Sequence, residues 1–183
     1  MSLFTKHDYC SSNGFQSSVW GPMVWASLHI ISFNYPVKPT ASDKKHYKDF
    51  LLSYQHTLPC VYCRTNFKTN LQKAGFSPKV FTNRNTFSRF IYNLHNCVNR
   101  MLDKEIVITY NEVRDRYEHF RARCSEKEKK ADIARKQKNA KKELGCNTSL
   151  HGVKSKCVIS IVPKKSKRQN FKMDKKCQTK KIQ

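Results

Sequence analysis

Cys60 and Cys63, two cysteines separated by two residues, are the side chains best suited to chemistry. They follow Pro59, where a helix is predicted to begin. A helix N-terminus stabilises a thiolate, the reactive form of cysteine, so this spacing favours a redox-active disulfide. One alternative is half of a zinc site completed by His95 and Cys97, and another is a pair of inert cysteines. A thioredoxin-like fold is not indicated, because the βαβ pattern is missing.

Two predicted helices each carry a polar pair or a polar–aromatic pair on one face. Trp25 and His29 are four residues apart, as are His95 and Asn99, and residues at that spacing share a helix face. Each pair alone is typical of buried core residues with satisfied hydrogen bonds. Together they would line a pocket for a flat ligand with polar edges, because tryptophan stacks on a ring and histidine and asparagine reach its edge.

Apolar periodicity predicts the helices that position these residues. In chain order they run from Trp20 to Tyr35 with Pro22 in the first turn, from Asp43 to Leu58, from Cys60 to Leu71, from Phe87 to Leu102, and, after the capping-box spacing of Thr109 and Glu112, to Phe120. The predicted fold class is all-α: a four-helix bundle with a short fifth helix.

The charge is distributed unevenly along the chain. The net charge is +23, of which +16 lies in residues 121–183. We predict a flexible N-terminal arm over residues 1–18, a domain over 19–122, and a basic, largely disordered tail over 123–183. The tail is expected either to remain solvated or to make weak, phosphate-driven contacts with nucleic acid, because it offers almost no aromatic side chains for base stacking.

The sequence also predicts where the protein resides. No apolar run approaches the ~20 residues of a membrane-spanning helix, and the N-terminal residues have no apolar signal core. We therefore expect a cytoplasmic protein. Eight cysteines in such a protein favour redox chemistry or metal binding over a secreted disulfide framework.

The motifs, taken in order, resemble the Erv/ALR family of FAD-linked sulfhydryl oxidases. They are Trp20-Gly21-x-x-x-Trp25-x-x-Leu28-His29, Tyr35-Pro36, Pro59-Cys60-x-x-Cys63 and His95-Asn96-x-Val98-Asn99. The resemblance runs from about Trp20 to Phe120. It is strongest to the short forms encoded by large cytoplasmic DNA viruses, which implies a location in the host cytoplasm or the virion.

This resemblance implies a homodimer that binds FAD non-covalently at the mouth of the bundle and uses no metal. Cys60 would be the outer sulfur that meets protein thiols or a thioredoxin-like intermediate. Cys63 would be the inner sulfur beside the flavin, which passes electrons to O2 and yields H2O2. The implied cofactor contacts are Gly21, Trp25, His29, Tyr35, His95, Asn96, Val98 and Asn99, with Lys104, Tyr110 and Tyr117 near the adenine and phosphate end.

The remaining cysteines depart from the family pattern. The family often has a second, shuttle disulfide in a flexible arm. The candidates for it here have no C-x-x-C spacing among them; they are Cys10, Cys124, Cys146, Cys157 and Cys177. Cys97 is expected to be either a buried, inert thiol or a partner for another cysteine.

Overall fold

Helices make up most of the structure, a computed structural model that describes residues 5–12, 14–106, 108–122, 157–159 and 171–173. The elements are α1 (Lys6–Cys10), α2 (Ser17–Asn34), α3 (Ala41–Thr57), α4 (Val61–Lys73), a 3₁₀ helix (Pro78–Phe81), α5 (Arg84–Met101), α6 (Tyr110–Glu118), β1 (Cys157–Ile159) and β2 (Phe171–Met173). The four-helix bundle (α2–α5) and the short fifth helix (α6) are confirmed.

Capping boxes start two of the bundle helices. The Thr40 side chain accepts from the Asp43 N–H, and the Asp43 carboxylate accepts from the Thr40 N–H. Asn83 and Thr86 form the same reciprocal pair at the start of α5. Each box satisfies backbone donors that a helix start would otherwise leave without partners. It therefore fixes the residue at which the helix begins.

The prediction that Pro22 occupies a first helical turn is wrong. Helix α2 begins at Ser17, so Pro22 is its sixth residue. The serines before Trp20, Ser17 and Ser18, form the first turn. The Trp20 indole Nε1–H donates to the Phe15 carbonyl at 3.0 Å, which fixes the entry into this helix.

The hydrophobic core lies between α2, α3, α4 and α5. Helix α2 packs on α5, and α4 packs on both α3 and α5. Tyr35 is completely buried, and its hydroxyl donates to the Phe81 carbonyl at 2.9 Å. Its ring contacts Tyr47 and Phe87. These aromatic contacts tie the end of α2 to α3 and α5.

The chain divides into two compact units. The first holds α1–α5 and Tyr110, and the second holds the rest of α6 with β1 and β2. In the second unit β1 and β2 pair antiparallel, with Cys157 opposite Met173. The sequence analysis did not predict this pairing; most of the predicted tail lies outside the described residues. No helix among the described residues is long and apolar enough to cross a membrane.

Candidate thiol redox site

Cys60 and Cys63 lie at the N-terminus of α4, as the sequence predicted. Cys60 is the N-cap residue, with an extended backbone, and the Cys63 N–H donates to its Sγ at 3.4 Å. Both residues are free thiols in this structure. The N-cap position directs the Cys60 sulfur at the positive end of the helix dipole, where a thiolate is favoured.

The two thiols have opposite shifts of pKa. A hydrogen bond from the Cys63 side chain lowers the pKa of Cys60; the N–H groups of Cys63 and Tyr62 and the charge of Arg64 lower it further. Burial, followed by the interaction with Cys60, raises the pKa of Cys63 to about 12. Cys63 also packs against the hydrophobic core. The reduced pair therefore ionises first at Cys60.

Hydrogen bonds from two directions hold the loop before Cys60. The Arg64 guanidinium folds back from α4, and its Nη1 donates to the Leu58 carbonyl at 2.5 Å. From the N-terminal arm, the Phe15 N–H donates to the Pro59 carbonyl at 2.7 Å. Next to it, Gly14 forms an antiparallel bridge with Cys60. Residues 58–60, which we name the redox loop, are thus positioned by α4 and by a segment some 45 residues earlier in the chain.

Gly14 is suited to this close approach. Its φ is +96°, a conformation that residues with a side chain rarely adopt. A Cβ at this position would lie 2.8 Å from the Pro59 carbonyl carbon and closer still to its oxygen. The arm can therefore pair with the redox loop only with a glycine here.

The two predicted helix faces meet between α2 and α5. The Trp25 indole stacks on the His95 imidazole, with ring centroids 4.2 Å apart and planes 7° from parallel. His29 Nε2 and His95 Nδ1 are 3.1 Å apart, within hydrogen-bonding distance. The interpretation of each pair as an isolated core feature does not explain this arrangement, because three residues of the two pairs form one aromatic cluster.

Both histidines are electrically neutral near pH 7. Burial, with the adjacent His95, lowers the pKa of His29 to about 3. Burial, with the nearby charge of Lys104, lowers the pKa of His95 to about 4. Neutral imidazoles offer one donor and one acceptor nitrogen each, which suits polar edges of a ligand rather than an anion alone.

Polar groups continue along α5 beyond His95. The Asn99 side-chain amide lies 3.5 Å from Asn96 Oδ1, and the Asn99 carbonyl accepts from the Lys104 N–H at 2.9 Å. This bond closes the C-terminal end of α5 and keeps Lys104 near the histidines. Helices α2, α4 and α5 contain no Asp or Glu, so nothing on these helices repels an anionic ligand.

The other predicted cofactor residues are more scattered. Gly21 lies one turn before Trp25, with open space where a Cβ would be. Tyr35 is in the core, and Tyr110 is buried with its hydroxyl 2.8 Å from Ser88 Oγ. Val98 lies on α5, half-buried, and Tyr117 lies in the second unit, where its ring contacts Phe120. The structure therefore assembles Trp25, His29 and His95, which we name the Trp25 cluster.

The zinc interpretation of Cys60 and Cys63 is not favoured. Among the residues that the structure describes, no group of three or more His, Cys, Asp or Glu could hold a metal ion. Cys97, one of the proposed ligands, is a half-buried free thiol whose Sγ accepts from Arg100 at 3.5 Å.

The side chain of Arg64 and the backbone of Gly14 and Phe15, which hold the loop before Cys60, could not be identified from the sequence. Arg64 follows Cys63 directly, and the only signal was a cation next to the cysteine pair. For the arm, the only signal was Gly14, because a glycine permits a backbone conformation with positive φ. Neither signal identifies the partner atoms, which are the carbonyl oxygens of Leu58 and Pro59.

The fold and this geometry can now be compared with known proteins. A family model described as the Erv1 / Alr family matches residues 22–118, just over half of the chain. The chain belongs to the Erv1/Alr family. The resemblance stated from the motifs is thereby confirmed, and the matched segment includes both cysteines and the Trp25 cluster.

Viral proteins are among the most similar members of the Erv1/Alr family. A probable FAD-linked sulfhydryl oxidase of Acanthamoeba polyphaga mimivirus is 34% identical over 93 residues, 51% of this chain and 64% of the relative. An FAD-linked sulfhydryl oxidase of African swine fever virus is 30% identical over 99 residues, 54% of this chain and 80% of the relative. The chain thus spans less than two thirds of the mimivirus protein.

A solved structure of the family has the same fold. The FAD-binding domain of Erv1 from Saccharomyces cerevisiae is 26% identical to this chain, with a TM-score of 0.51. The alignment covers 56% of this chain and 94% of the yeast domain. The common part is therefore nearly the whole yeast domain.

Proposed function

We propose that this protein is an FAD-linked sulfhydryl oxidase, which forms disulfide bonds in protein thiols and reduces O2 to H2O2. The observation that carries the proposal is the unequal cysteine pair at the N-terminus of α4, in a helical domain of the Erv1/Alr family. The FAD-linked oxidases among its relatives support the cofactor and the reaction class.

Cys60 is the sulfur that meets the substrate. A substrate thiolate attacks Cys60 Sγ of the Cys60–Cys63 disulfide; the S–S bond breaks, Cys63 takes the electron pair, and a mixed disulfide forms. A second substrate thiolate then displaces Cys60, and the substrate leaves oxidised. The lowered pKa of Cys60 favours this step, because a sulfur of lower pKa leaves faster. Two electrons remain on the reduced pair.

The residues around Trp25 fit a flavin cofactor. A flat ring with polar edges suits the stacked indole and imidazole of Trp25 and His95, the neutral His29 and the amides of α5. Lys104 and the absence of carboxylates on α2, α4 and α5 suit its phosphates. When bound, FAD supplies the acceptor for the two electrons of the cysteine pair and the centre that reduces O2.

The residues proposed to hold the flavin are those expected from the family motifs. Tyr35 and Tyr110 are buried with hydroxyls already hydrogen-bonded to protein groups, so we propose that they shape the pocket walls. The full proposed set is Gly21, Trp25, His29, Tyr35, His95, Asn96, Val98, Asn99, Lys104, Tyr110 and Tyr117.

The visible spectrum and one pair of variants test this proposal. Purified protein should show a flavin band near ~450 nm, as bound FAD implies. Cys63→Ser should retain that band and lose turnover of dithiothreitol, whereas Cys97→Ser, the matched control, should retain both. A colourless protein with stoichiometric zinc, or oxygen consumption by Cys63→Ser, would refute the assignment.

We also propose a homodimer formed through α2. Met23 and Ile30 are exposed on this helix at a spacing of seven residues, which places them on one face. Large apolar residues exposed at such spacing favour burial against a second copy. Light scattering should give the mass of a dimer for the native chain and of a monomer for Ile30→Glu; a native monomer would contradict the proposal.

The domain boundaries, the tail and the location complete the proposal. We assign the oxidase to residues 19–122, with residues 1–18 as an arm and residues 123–183 as a basic tail. The tail would make weak contacts with phosphates, and the protein would act in the cytoplasm or a virion on protein thiols or a thioredoxin-like intermediate. Fractionation of cells that express the chain tests the location.

A further inference from the structure

Phe15 is an exposed aromatic side chain on a fixed stretch of backbone. Its N–H donates to the Pro59 carbonyl, and its carbonyl accepts from the Trp20 indole. Nevertheless 78% of the residue is exposed. A large aromatic group that is already held in place loses little conformational freedom on binding. It is therefore well suited to anchor a partner.

Two further apolar residues follow Cys60 directly in the chain. Val61 and Tyr62 form the start of α4, and they are 39% and 80% exposed. Phe15 follows Gly14, which is bridged to Cys60 itself. Phe15, Val61 and Tyr62, which we name the Cys60 patch, thus belong to two segments of the chain that meet at Cys60.

We propose that the Cys60 patch binds the polypeptide segment that carries the substrate cysteine, and that it favours a segment with a large apolar side chain next to that cysteine. This inference rests on the proposed thiol oxidase function and deepens it. A small dithiol has no such neighbouring side chain and would not use the patch.

The geometry of mixed-disulfide formation at Cys60 determines which part of the substrate lies against the Cys60 patch. The substrate sulfur must come within about 2.05 Å of Cys60 Sγ to form the mixed disulfide. An extended chain advances ~3.3 Å per residue, so the residues beside the substrate cysteine must lie within about 7 Å of that sulfur. The surface at that distance includes the side chains next to Cys60 in the sequence and across the Gly14 bridge.

The charged residues around Cys60 further limit which substrate segments are favoured. Residues 9–42 and 50–102 contain no Asp or Glu, while Arg64 and Lys68 follow the cysteine pair on α4. A segment with lysine or arginine beside its cysteine would meet only like charge here. The favoured substrate is therefore apolar beside the cysteine and neutral or acidic around it.

Steady-state kinetics of the FAD-loaded full chain test the inference. Two acidic dithiol peptides would differ only in Phe or Ser beside the first cysteine, and dithiothreitol would serve as the small substrate. We expect the KM for the Phe peptide to be about 10-fold lower than that for the Ser peptide, as burial of one aromatic side chain implies.

A double variant and a matched control assign that preference to the patch. Phe15→Ser with Tyr62→Ser should raise the KM for the Phe peptide about 10-fold, with kcat and dithiothreitol turnover unchanged. Serine at position 15 keeps both backbone hydrogen bonds. Val37→Ser, at an apolar residue 61% exposed between α2 and α3, is the control and should change nothing.

Several results would overturn the inference. Equal KM values for the two peptides in the native chain would do so, as would an equal loss in Val37→Ser. A double variant with unchanged peptide KM and a lower mass by light scattering would instead assign the patch to a second copy of the chain.

A measurement without turnover separates this inference from the proposed function. Cys63→Ser leaves Cys60 as the only sulfur of the pair. Its rate of mixed-disulfide formation with thionitrobenzoate-activated forms of the two peptides compares them without flavin or O2. We expect the Phe peptide to react about 10-fold faster, as anchoring by one aromatic side chain implies. Equal rates would refute the inference, whereas absent dithiothreitol oxidation by the native chain would refute the oxidase function alone.

Discussion

At the scale of single residues, one charge beside the cysteine pair has two effects. Arg64 holds the Leu58 carbonyl, and its positive charge contributes to the lowered pKa of Cys60 and offsets part of the rise in the pKa of Cys63. The first effect requires the guanidinium donors, and the second requires only a cation. Substitutions at this position can therefore distinguish position from charge.

We predict that Arg64→Met slows alkylation of Cys60 near neutral pH several-fold, because the pKa of Cys60 rises when the cation is removed. Methionine keeps much of the apolar stem, so the loss is mainly of charge and donors. Iodoacetamide labelling of the reduced protein across a pH series, read by mass spectrometry, measures the shift.

Two variants control this prediction. Arg64→Lys keeps a cation and should restore most of the labelling rate, and Lys68→Met removes an exposed cation one turn further along α4. An unchanged labelling profile in Arg64→Met would show that Arg64 does not tune Cys60. A loss in Arg64→Lys equal to that in Arg64→Met would assign the effect to the Leu58 hydrogen bond.

The buried histidines predict a loss of stability in mild acid. The pKa values of His29 and His95 in the folded protein, about 3 and about 4, lie below the ordinary value of 6.5. The unfolded chain therefore binds more protons below pH 6.5. The stabilisation is fully present above that pH and is lost as the pH falls, by about 1.4 kcal/mol per pH unit for each histidine.

Urea unfolding of flavin-free protein between pH 4.5 and 7.5 measures this dependence. His29→Gln should reduce the slope by about one proton, because one of the two groups no longer titrates. A free energy of unfolding that is constant between pH 6.5 and 4.5 in the native chain would contradict the prediction.

The positions of the cysteine pair and of the two helix faces could be predicted from the sequence more directly than the difference in pKa between the two sulfurs. The C-x-x-C spacing and the i,i+4 pairs depend only on helix geometry, so Cys60, Trp25 and His95 could be found without a structure. The raised pKa of Cys63 depends on burial by residues of other helices. The hydrogen bond of Arg64 depends on a chain reversal at Pro59, which spacing does not define.

At the scale of secondary structure, apolar periodicity was sufficient for the bundle. Helix α5 carries the clearest amphipathic pattern and was predicted from Phe87, three residues after its start at Arg84. The missing turn is polar, because it contains the capping box at Asn83 rather than core residues. Capping side chains likewise explain why α3 begins at Ala41, two residues before the prediction.

The contacts of the N-terminal arm leave the weakest signal in the sequence. Its polar, serine-rich composition indicates flexibility, yet Phe15 is hydrogen-bonded at both its N–H and its carbonyl. A single backbone bridge to a loop some 45 residues later leaves no periodic signal in the sequence. The backbone bridge depends on residue type at Gly14, because a side chain there would overlap the Pro59 carbonyl.

We predict that Gly14→Ala releases the arm from the redox loop. Alanine at φ +96° is strained, and its Cβ would overlap the Pro59 carbonyl. Hydrogen exchange of the Phe15 amide should accelerate, because its acceptor on Pro59 is displaced. Exchange read by mass spectrometry of N-terminal peptides measures this, with flavin absorbance as a check on the bundle.

Gly75→Ala is the matched control. Its φ is +83°, so alanine has similar backbone strain, but nothing lies within 4 Å of the added Cβ. Both variants should lose on the order of 1 kcal/mol of stability. Only Gly14→Ala should expose the Phe15 amide; continued protection of that amide in Gly14→Ala would show that the bridge does not hold the arm.

At the scale of the whole molecule, the chemistry and the excess charge occupy different parts of the chain. The Erv1/Alr match ends at residue 118. Of the net charge of +23, +14 lies beyond Arg123. A basic segment of this kind binds phosphates through counterion release, which makes its affinity fall steeply with salt. It would then concentrate the protein near polyanions.

We predict that a chain ending at Arg123 keeps its flavin and its turnover of dithiothreitol and loses most of its affinity for duplex DNA. The physical reason is that the residues proposed for catalysis and flavin binding all precede Arg123, whereas the removed residues carry most of the cations. Fluorescence anisotropy of a labelled duplex measures the change. The salt concentration would run from about 50 to about 300 mM, over which the Debye length falls from roughly 14 Å to roughly 6 Å. The full chain should give a steep negative slope of log K against log salt, about −0.9 for each phosphate neutralised.

The two halves of that prediction are refuted by different results. Loss of flavin on truncation would show that the tail belongs to the oxidase fold, so that the boundary at 122 is too early. Equal slopes for the two chains would show that the remaining net charge of +9 binds the phosphates, which would assign any nucleic-acid contact to the bundle. A flavin-loaded truncated chain with a shallower slope is the expected result, because only it leaves the oxidation of a small dithiol and the binding of phosphates on separate parts of one polypeptide.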